Sequence, residues 1–335
     1  MIFERLRLSA SLLCLCALAA VAQAAPAAAF KGEIITDATT GQVLFQDNPD
    51  EVSPPASVTK LMTFLVVYDA IKAGQITLDT PVTITAEETR IGGTQVWLKE
   101  KEVFTVDELL YALMIQSAND AAVALARTVA GSREGFVERM NARAQQLGLT
   151  RTTFHSPHGL PPSKGQKADL TTPRDLATLA RELILNTDVL RYTSTKQRAF
   201  GGAQRAQQVL MINHNHLLGH VAGVDGLKTG FTNAAGFCLA ATAERNGHRL
   251  IAVIMGSPDR KTRDLQMASL IEKGFTLLPA TSVFKSHAPV ATATATANPA
   301  APAAGPLSPI SGTAAEEPAD DATAPLVKFT LPGKK

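Results

Sequence analysis

The amino-acid sequence predicts an α+β fold in which an antiparallel sheet drawn from both ends of the chain is flanked by helices. Near the start, Gly32-Glu33-Ile34-Ile35-Thr36-Asp37 and Gln42-Val43-Leu44-Phe45 read as strands about the turn Thr39-Thr40-Gly41. Near the end, residues 223–230, 236–244 and 249–255 carry strand patterns, the last two joined by the hairpin dipeptide Asn246-Gly247. Helical periods dominate the stretch between them. Strands at both ends with helices in the middle point to one sheet assembled from distant segments.

In chain order, Pro54-Pro55 stop any helix from starting earlier, so Ser57 falls at a helix N-terminus. Leu61, Phe64, Leu65 and Val67 to Ile71 form its buried face, and it ends near Ala73-Gly74. Residues 81–101 hold Gly92-Gly93 and the only tryptophan, Trp97, without a clear period, and read as a short strand or loop excursion. Val106 to Gln116 is helical and breaks at Ser117-Ala118-Asn119-Asp120. A second helix covers Ala121 to Ala130, with Asn119 or Asp120 placed to cap it. Arg133 to Leu147 is amphipathic, with Phe136, Met140 and Leu147 on one stripe, and Gly148 closes it. A loop over 152–167 precedes the start signal Thr171-Thr172-Pro173 of a helix reaching Leu185. The closing helix, Lys261 to Phe275, is expected to bury Leu265, Ala268, Leu270 and Ile271.

The chain has 335 residues, 45% hydrophobic and 19% charged, with a formal net charge of +2. That length supports one large domain or two modest ones. The balanced charge, with no basic block, excludes nucleic-acid binding on electrostatic grounds. Arg5 and Arg7, an apolar core from Ser9 to Val21 and Ala22-Gln23-Ala24 make a secretory signal over residues 1–24. Export to the periplasm or cell-wall space follows. Cys14 and Cys16 leave with that signal, so the mature chain keeps only Cys238, a small core residue in a strand pattern. A catalytic domain is expected over 29–278. Residues 286–335 collapse to an Ala/Pro/Thr-rich disordered tail, with no membrane attachment expected from it.

The chemistry-bearing residues fall in three places. Ser57-Val58-Thr59-Lys60 puts an amine beside a hydroxyl, because residues three apart on a helix stack. The same Ser-x-x-Lys spacing recurs at Ser282-Val283-Phe284-Lys285, with no helix pattern after it. Ser117-Ala118-Asn119 sits at a helix break, where side chains can face a cleft. Lys228-Thr229-Gly230 ends a core strand, where Lys228 and Thr229 point to opposite faces unless the strand twists. There Gly230 lets a substrate backbone come close. Each is weak alone. Their order, each in its proper element, is the signature of penicillin-binding proteins and class A β-lactamases.

On these motifs the sequence resembles the low-molecular-mass penicillin-binding proteins that act as D-alanyl-D-alanine carboxypeptidases. The resemblance runs from about Ala29 to Phe275 and takes in Pro55 to Thr63, Gln116 to Ala121, Met140-Asn141, Ser156 to Leu160, Asn213-His214-Asn215, Val224 to Gly230 and Met255-Gly256. It implies a β-lactamase/transpeptidase-like fold of the α/β (α+β) class: a five-stranded antiparallel sheet flanked by helices, with a helical subdomain closing one side of the cleft. It implies, too, an acyl-enzyme on Ser57, with Lys60 as base in its neutral form, favoured by burial and by Lys228. Ser117 would return the proton to the leaving amine and Asn119 would orient Lys60 and the substrate amide. The oxyanion would sit between the backbone N–H groups of Ser57 and Phe231. The substrate carboxylate would meet Lys228, Thr229 and Gly230, with Arg263 on the closing helix and His214 standing where some relatives carry an arginine. His158 and Asp175 fit architectural positions. Peptidoglycan stem peptides ending in D-Ala-D-Ala are the implied substrate and β-lactams the implied inhibitors, with no metal and no cofactor.

The rivals are a DD-endopeptidase on cross-links, a class A-like β-lactamase and a non-catalytic wall-binding protein. Glu182-Leu183-Ile184-Leu185-Asn186 matches the string that supplies the deacylating carboxylate in class A enzymes. It lies inside an amphipathic helix rather than on a loop, which favours a surface glutamate.

Overall fold

The strands from the two ends of the chain meet in one sheet. The computed structural model describes residues 30–285. The signal read at 1–24 and the tail read at 286–335 lie outside the described residues. Strand β1 (Gly32–Asp37) turns into β2 (Val43–Asp47) through a tight loop. There Asp37 accepts hydrogen bonds from Thr39 N and Thr40 Oγ1. A 3-10 turn, Ala56–Thr59, leads into helix α1 (Lys60–Lys72), whose first nine residues are all buried. A buried helix of this kind packs on every side, so it shows no clean amphipathic stripe.

The excursion over 81–101 contains a short strand, β3 (Pro81–Thr83), which pairs with β4 (Val103–Thr105). Helix α2 (Val106–Tyr111) is capped by the Thr105 hydroxyl and passes into a π-turn, Ala112–Gln116. Ser117 ends that turn in the left-handed conformation, φ 63°. Then come α3 (Asn119–Ala130), α4 (Arg133–Gln146) and α5 (Pro173–Asn186), the last two capped by Ser132 and Thr172. After α6 (Val189–Thr193), a hairpin of β5 (Gln197–Phe200) and β6 (Val209–Ile212) precedes the long strands β7 (Val224–Thr232), β8 (Gly236–Arg245) and β9 (His248–Ser257). Helix α7 (Arg260–Leu277), capped by Asp259, closes the order.

The five-stranded sheet runs β2-β1-β9-β8-β7, all neighbours antiparallel, so β1 pairs with β9 from Gly32↔Met255 to Asp37↔Leu250. Asn246 and Gly247, at φ 52° and 76°, make the β8–β9 turn that the dipeptide predicts. One apolar cluster lies between the sheet and α1 to α5. The other lies under α7, around Ile35, Leu250, Met267 and Ile271. Cys238 is buried in β8, its Sγ turned toward the carbonyls of Ala235 and Gly236.

Four local expectations need correction or addition. Leu265, placed on the apolar side of α7, is exposed, because the sheet takes the Met267–Leu270–Ile271 face instead. Neither Asn119 nor Asp120 caps α3; its N-cap is Ala118, and both polar side chains turn elsewhere. Helix α6 and the β5–β6 hairpin do not figure in the sequence reading. Gln197–Phe200 has one buried residue in four, so its strand pattern is too faint to read.

Candidate active site

The arrangement starts with the turn that holds Ser57. Pro55 and the left-handed Ala56 (φ 49°) bend the chain just before Ser57, so that Lys60 follows one turn later. Lys60 Nζ lies 2.9 Å from Ser57 Oγ, the contact that the three-residue spacing predicts. Lys60 is wholly withdrawn from solvent and Ser57 nearly so, at 0% and 5% exposure.

A loop that the motifs do not include fixes this turn from below. Lys60 also donates to the His158 carbonyl, at 2.8 Å. Thr63 Oγ1 donates to the Pro157 carbonyl at 2.6 Å, and Thr59 Oγ1 to Asp169 at 3.0 Å. Asp169 in turn accepts from His155 N, Ser156 N and Ser156 Oγ. Burial pushes its carboxyl above the usual range, against the hydrogen bonds that favour its charge. One carboxylate thus ties the 155–159 loop to the helix that carries Lys60. Gly159, at φ 85°, packs so tightly on the Ala56 carbonyl that a Cβ there would collide with it.

His158 is buried, and its Nδ1 accepts from Leu160 N at 3.1 Å. Burial, above all, pushes its pKa down to about 3, so the neutral ring is favoured. Asp175 accepts from Arg151 N and Thr152 Oγ1 and anchors the other end of the loop. Both residues fit the architectural part expected of them.

Strand β7 forms one side of the Ser57 turn. A Cβ on Gly230 would lie 2.7 Å from Pro55 O and 2.9 Å from Ser57 N, so only glycine lets the strand come this near. Lys228 and Thr229 are both buried, and Lys228 Nζ curls back to donate to the Thr229 carbonyl at 3.0 Å. Phe231 is half-buried, its ring stacked on Phe237 with centroids 4.1 Å apart.

The Ser117-Ala118-Asn119 turn joins the π-turn to α3, and both elements pack on α1. Ser117 Oγ is buried with no hydrogen-bond partner among the described residues. Asn119 Nδ2 donates to the Gly92 carbonyl at 3.0 Å, and Asn119 N donates to Thr94 O at 2.8 Å. Beside it, Asp120 accepts from Val96 N, Leu98 N and Ala121 N. Burial outweighs these donors and holds the Asp120 carboxyl up at about 6.

Arg263 is fully buried, and its Nε pairs with Asp264 at 2.9 Å. Asp264 also faces His216 at 3.6 Å. Burial works to raise the Asp264 carboxyl, but Arg263 and His216 outweigh it and keep the carboxyl below its ordinary value. His214 is half-buried in the loop between β6 and β7. Glu182 is bonded to Arg143 at 2.6 Å and to Asn186 at 2.8 Å within the α5 surface, the structural place its helix predicts.

Sequence reasoning thus anticipates the Ser57–Lys60 contact and misses the parts of Asp169, Asp120 and the threonines that hold its surroundings. A lone aspartate in a polar loop carries no signal of its own; the neighbouring Ser156-Pro157-His158-Gly159 string is the only pointer to it.

The comparisons with known proteins follow this geometry. The D-alanyl-D-alanine carboxypeptidase family profile (peptidase family S11) matches residues 19–259. D-alanyl-D-alanine carboxypeptidase DacF of Bacillus subtilis is 33% identical over 78% of this chain and 66% of its own length. DacC of Escherichia coli is 36% identical over 79% of this chain and 66% of its own. The chain therefore spans slightly less than two thirds of these relatives. Penicillin-binding protein D2 of Listeria monocytogenes, solved in its ampicillin-bound form, superposes with a TM-score of 0.66 at 32% identity, covering 74% of this chain and 97% of that one. Five antiparallel strands, the Ser57–Lys60 contact and a match over most of the chain lead to one assignment: this chain belongs to the D-alanyl-D-alanine carboxypeptidase family.

Proposed function

We propose that the chain is an exported serine DD-carboxypeptidase that removes the terminal D-alanine from peptidoglycan stem peptides. The observation that carries this reading is the 2.9 Å contact between Lys60 Nζ and Ser57 Oγ in a site withdrawn from water. Complete burial disfavours an ammonium, and a neutral amine can take the hydroxyl proton. Ser57 Oγ then bonds to the carbonyl carbon of the penultimate D-alanine. The resulting oxyanion lies between the N–H groups of Ser57 and Phe231, and Gly230 leaves room for that approach. As the C–N bond breaks, Ser117 passes a proton to the departing amine; a hydroxyl with no internal partner suits that role. Asn119 orients the substrate amide and Lys60. Water, deprotonated by the same relay, hydrolyses the ester and restores Ser57.

The substrate carboxylate is assigned to Lys228 and Thr229, with Arg263 as the further cation. The Arg263 guanidinium is buried and paired with Asp264, so its part in carboxylate binding runs through a charge already half-neutralised. The basic, apolar and small-residue order of residues 1–24 supports export. Capture of β-lactams is expected from the resemblance of a lactam carbonyl to the scissile bond. Brief exposure to penicillin followed by intact-protein mass spectrometry tests the assignment. Wild type should gain one adduct and Ser57→Ala none; adduct on both, or on neither, overturns it. Release of D-alanine from free pentapeptide, compared with cleavage of cross-linked dimers, separates carboxypeptidase from endopeptidase action.

A further inference from the structure

The loop between Gly92 and Leu98 carries a side chain that neither the fold nor the Ser57 chemistry uses. Trp97 is the only tryptophan of the chain, and it is 46% exposed between buried Val96 and Leu98. Its backbone is left-handed, φ 56°, a region in which a bulky residue is rare and strained. An indole serving only the core would be buried, and an idle loop would relax. This loop is instead clamped on both sides of Trp97. Asp120 accepts from Val96 N at 3.3 Å and from Leu98 N at 3.0 Å. Arg205 donates to the Val96 and Trp97 carbonyls at 2.7 and 2.9 Å, and is itself ion-paired with Glu102.

The same loop touches the site. Gly92 O and Thr94 O receive the two N–H groups of Asn119, and the Asp120 clamp is the next residue along. Trp97 lies three residues beyond Thr94, so its Cα is at most about 11 Å from that contact. An exposed aromatic on a clamped backbone thus lies within one loop-width of Asn119.

We propose that Trp97 is a stacking platform for a sugar ring of the glycan strand that bears the stem peptide, an inference that rests on the DD-peptidase reading above. An extended stem peptide spans roughly 3.3–3.6 Å per residue, so its attachment point lies on the order of 10–15 Å from the scissile bond. That distance is comparable with the span from the Asn119 contacts to Trp97. One face of a pyranose presents only C–H groups, which match the flat apolar indole while the hydroxyls stay in water. A side chain with two torsions on a clamped backbone loses little freedom on binding.

Because the chain has one tryptophan, its emission reports this position alone. In Ser57→Ala, which cannot turn substrate over, a disaccharide-pentapeptide should give a saturable shift of Trp97 fluorescence, and the sugar-free pentapeptide should give none. In otherwise wild-type protein, Trp97→Ala should lower kcat/KM for the disaccharide-pentapeptide about tenfold through KM, the scale of one lost aromatic contact. It should leave the sugar-free pentapeptide and the penicillin adduct unchanged, and Trp97→Tyr should restore most of the loss. Equal fluorescence shifts with both ligands, or equal losses on both substrates in Trp97→Tyr, would overturn the sugar assignment. Wild type that acts on neither peptide and takes no penicillin would instead overturn the enzymatic reading, while the fluorescence titration would still decide whether the sugar binds.

Discussion

The molecule contains the same short motif twice, and the two copies meet opposite fates. In Ser57-Val58-Thr59-Lys60 the residues occupy successive turns of a 3-10/α junction, and the amine reaches the hydroxyl at 2.9 Å. In Ser282-Val283-Phe284-Lys285 there is no helix, so the three-residue spacing brings nothing together. Ser282 Oγ donates instead to Asp37 at 2.6 Å, Phe284 N donates to Gly247 O, and Lys285 faces solvent. The second copy fastens the chain to the end of β1 and to the β8–β9 turn. Spacing becomes chemistry only where the backbone gives three residues the pitch of a helix.

Exchanging roles between the copies is the sharpest way to break this contrast. Ser57→Ala should reduce D-alanine release by on the order of 10⁴-fold or more, the scale of losing a catalytic nucleophile, as measured by amino-acid analysis of the products. Ser282→Ala should leave turnover and penicillin labelling intact. It should lower unfolding stability by about 1–3 kcal/mol in urea, because Asp37 loses a buried partner. A labelling defect in Ser282→Ala would mean that the copies are not separate in role.

A second contrast pits two glycines with the same backbone against each other. Gly159 and Gly165 have φ 85° and 84°, but a Cβ would strike the Ala56 carbonyl at the first and open space at the second. Gly159→Ala should cost about 2–4 kcal/mol and slow acylation more than tenfold, because it pushes the Ser57 turn away from β7. Gly165→Ala should cost about 1 kcal/mol, from its left-handed backbone alone. Stopped-flow acylation by a chromogenic β-lactam, set beside urea melts, reads both effects.

A last contrast concerns pH, and it sets the loop behind Lys60 against the turn at Asn119. His158 behind Lys60 titrates near 6.5 when unfolded but is held down to about 3 in the fold. Below pH 6.5 the unfolded chain therefore binds a proton that the folded chain refuses, so stability falls as pH drops from about 6.5 toward 3. Asp120, raised to about 6 beside Asn119, has the opposite sign: its protonated form fits the fold, so its contribution favours stability below 6 and declines as pH rises from about 4 to 6. The two groups therefore pull the pH dependence in opposite directions. His158→Asn, which retains an acceptor for Leu160 N, should raise the urea midpoint at pH 4 relative to that at pH 6.5. Asp120→Asn should lower it. An unchanged ratio in both variants would place the pH sensitivity elsewhere.

The sequence makes the sheet legible because its strands carry strong patterns. The β8–β9 turn is written in Asn246-Gly247, and the buried run of β9 is apolar throughout residues 250–255. Weak elements escape for a physical reason. Strand β5 is mostly exposed, and α6 is a single turn whose burial comes from tertiary contacts. The end of α3 misleads in the same way: Asp120 looks like a cap by residue type, yet the loop at Val96 and Leu98 offers it more donors than the helix does. At the candidate site, the Ser57–Lys60 pair is legible through its spacing. The side chains that hold the pair in place, such as Asp169 and Thr59, are joined by a contact spanning 110 residues, and no local pattern records it.

The pairing of β1 with β9 has a consequence for how the molecule is made. Gly32 cannot find Met255 until almost the whole domain has been synthesised, so the first hairpin waits without its partner while the helices between are still emerging. Closing so long a loop is entropically uphill until the final strands arrive, which places sheet completion late and makes it slow. A nascent chain of this topology keeps its sheet open until its last third is released.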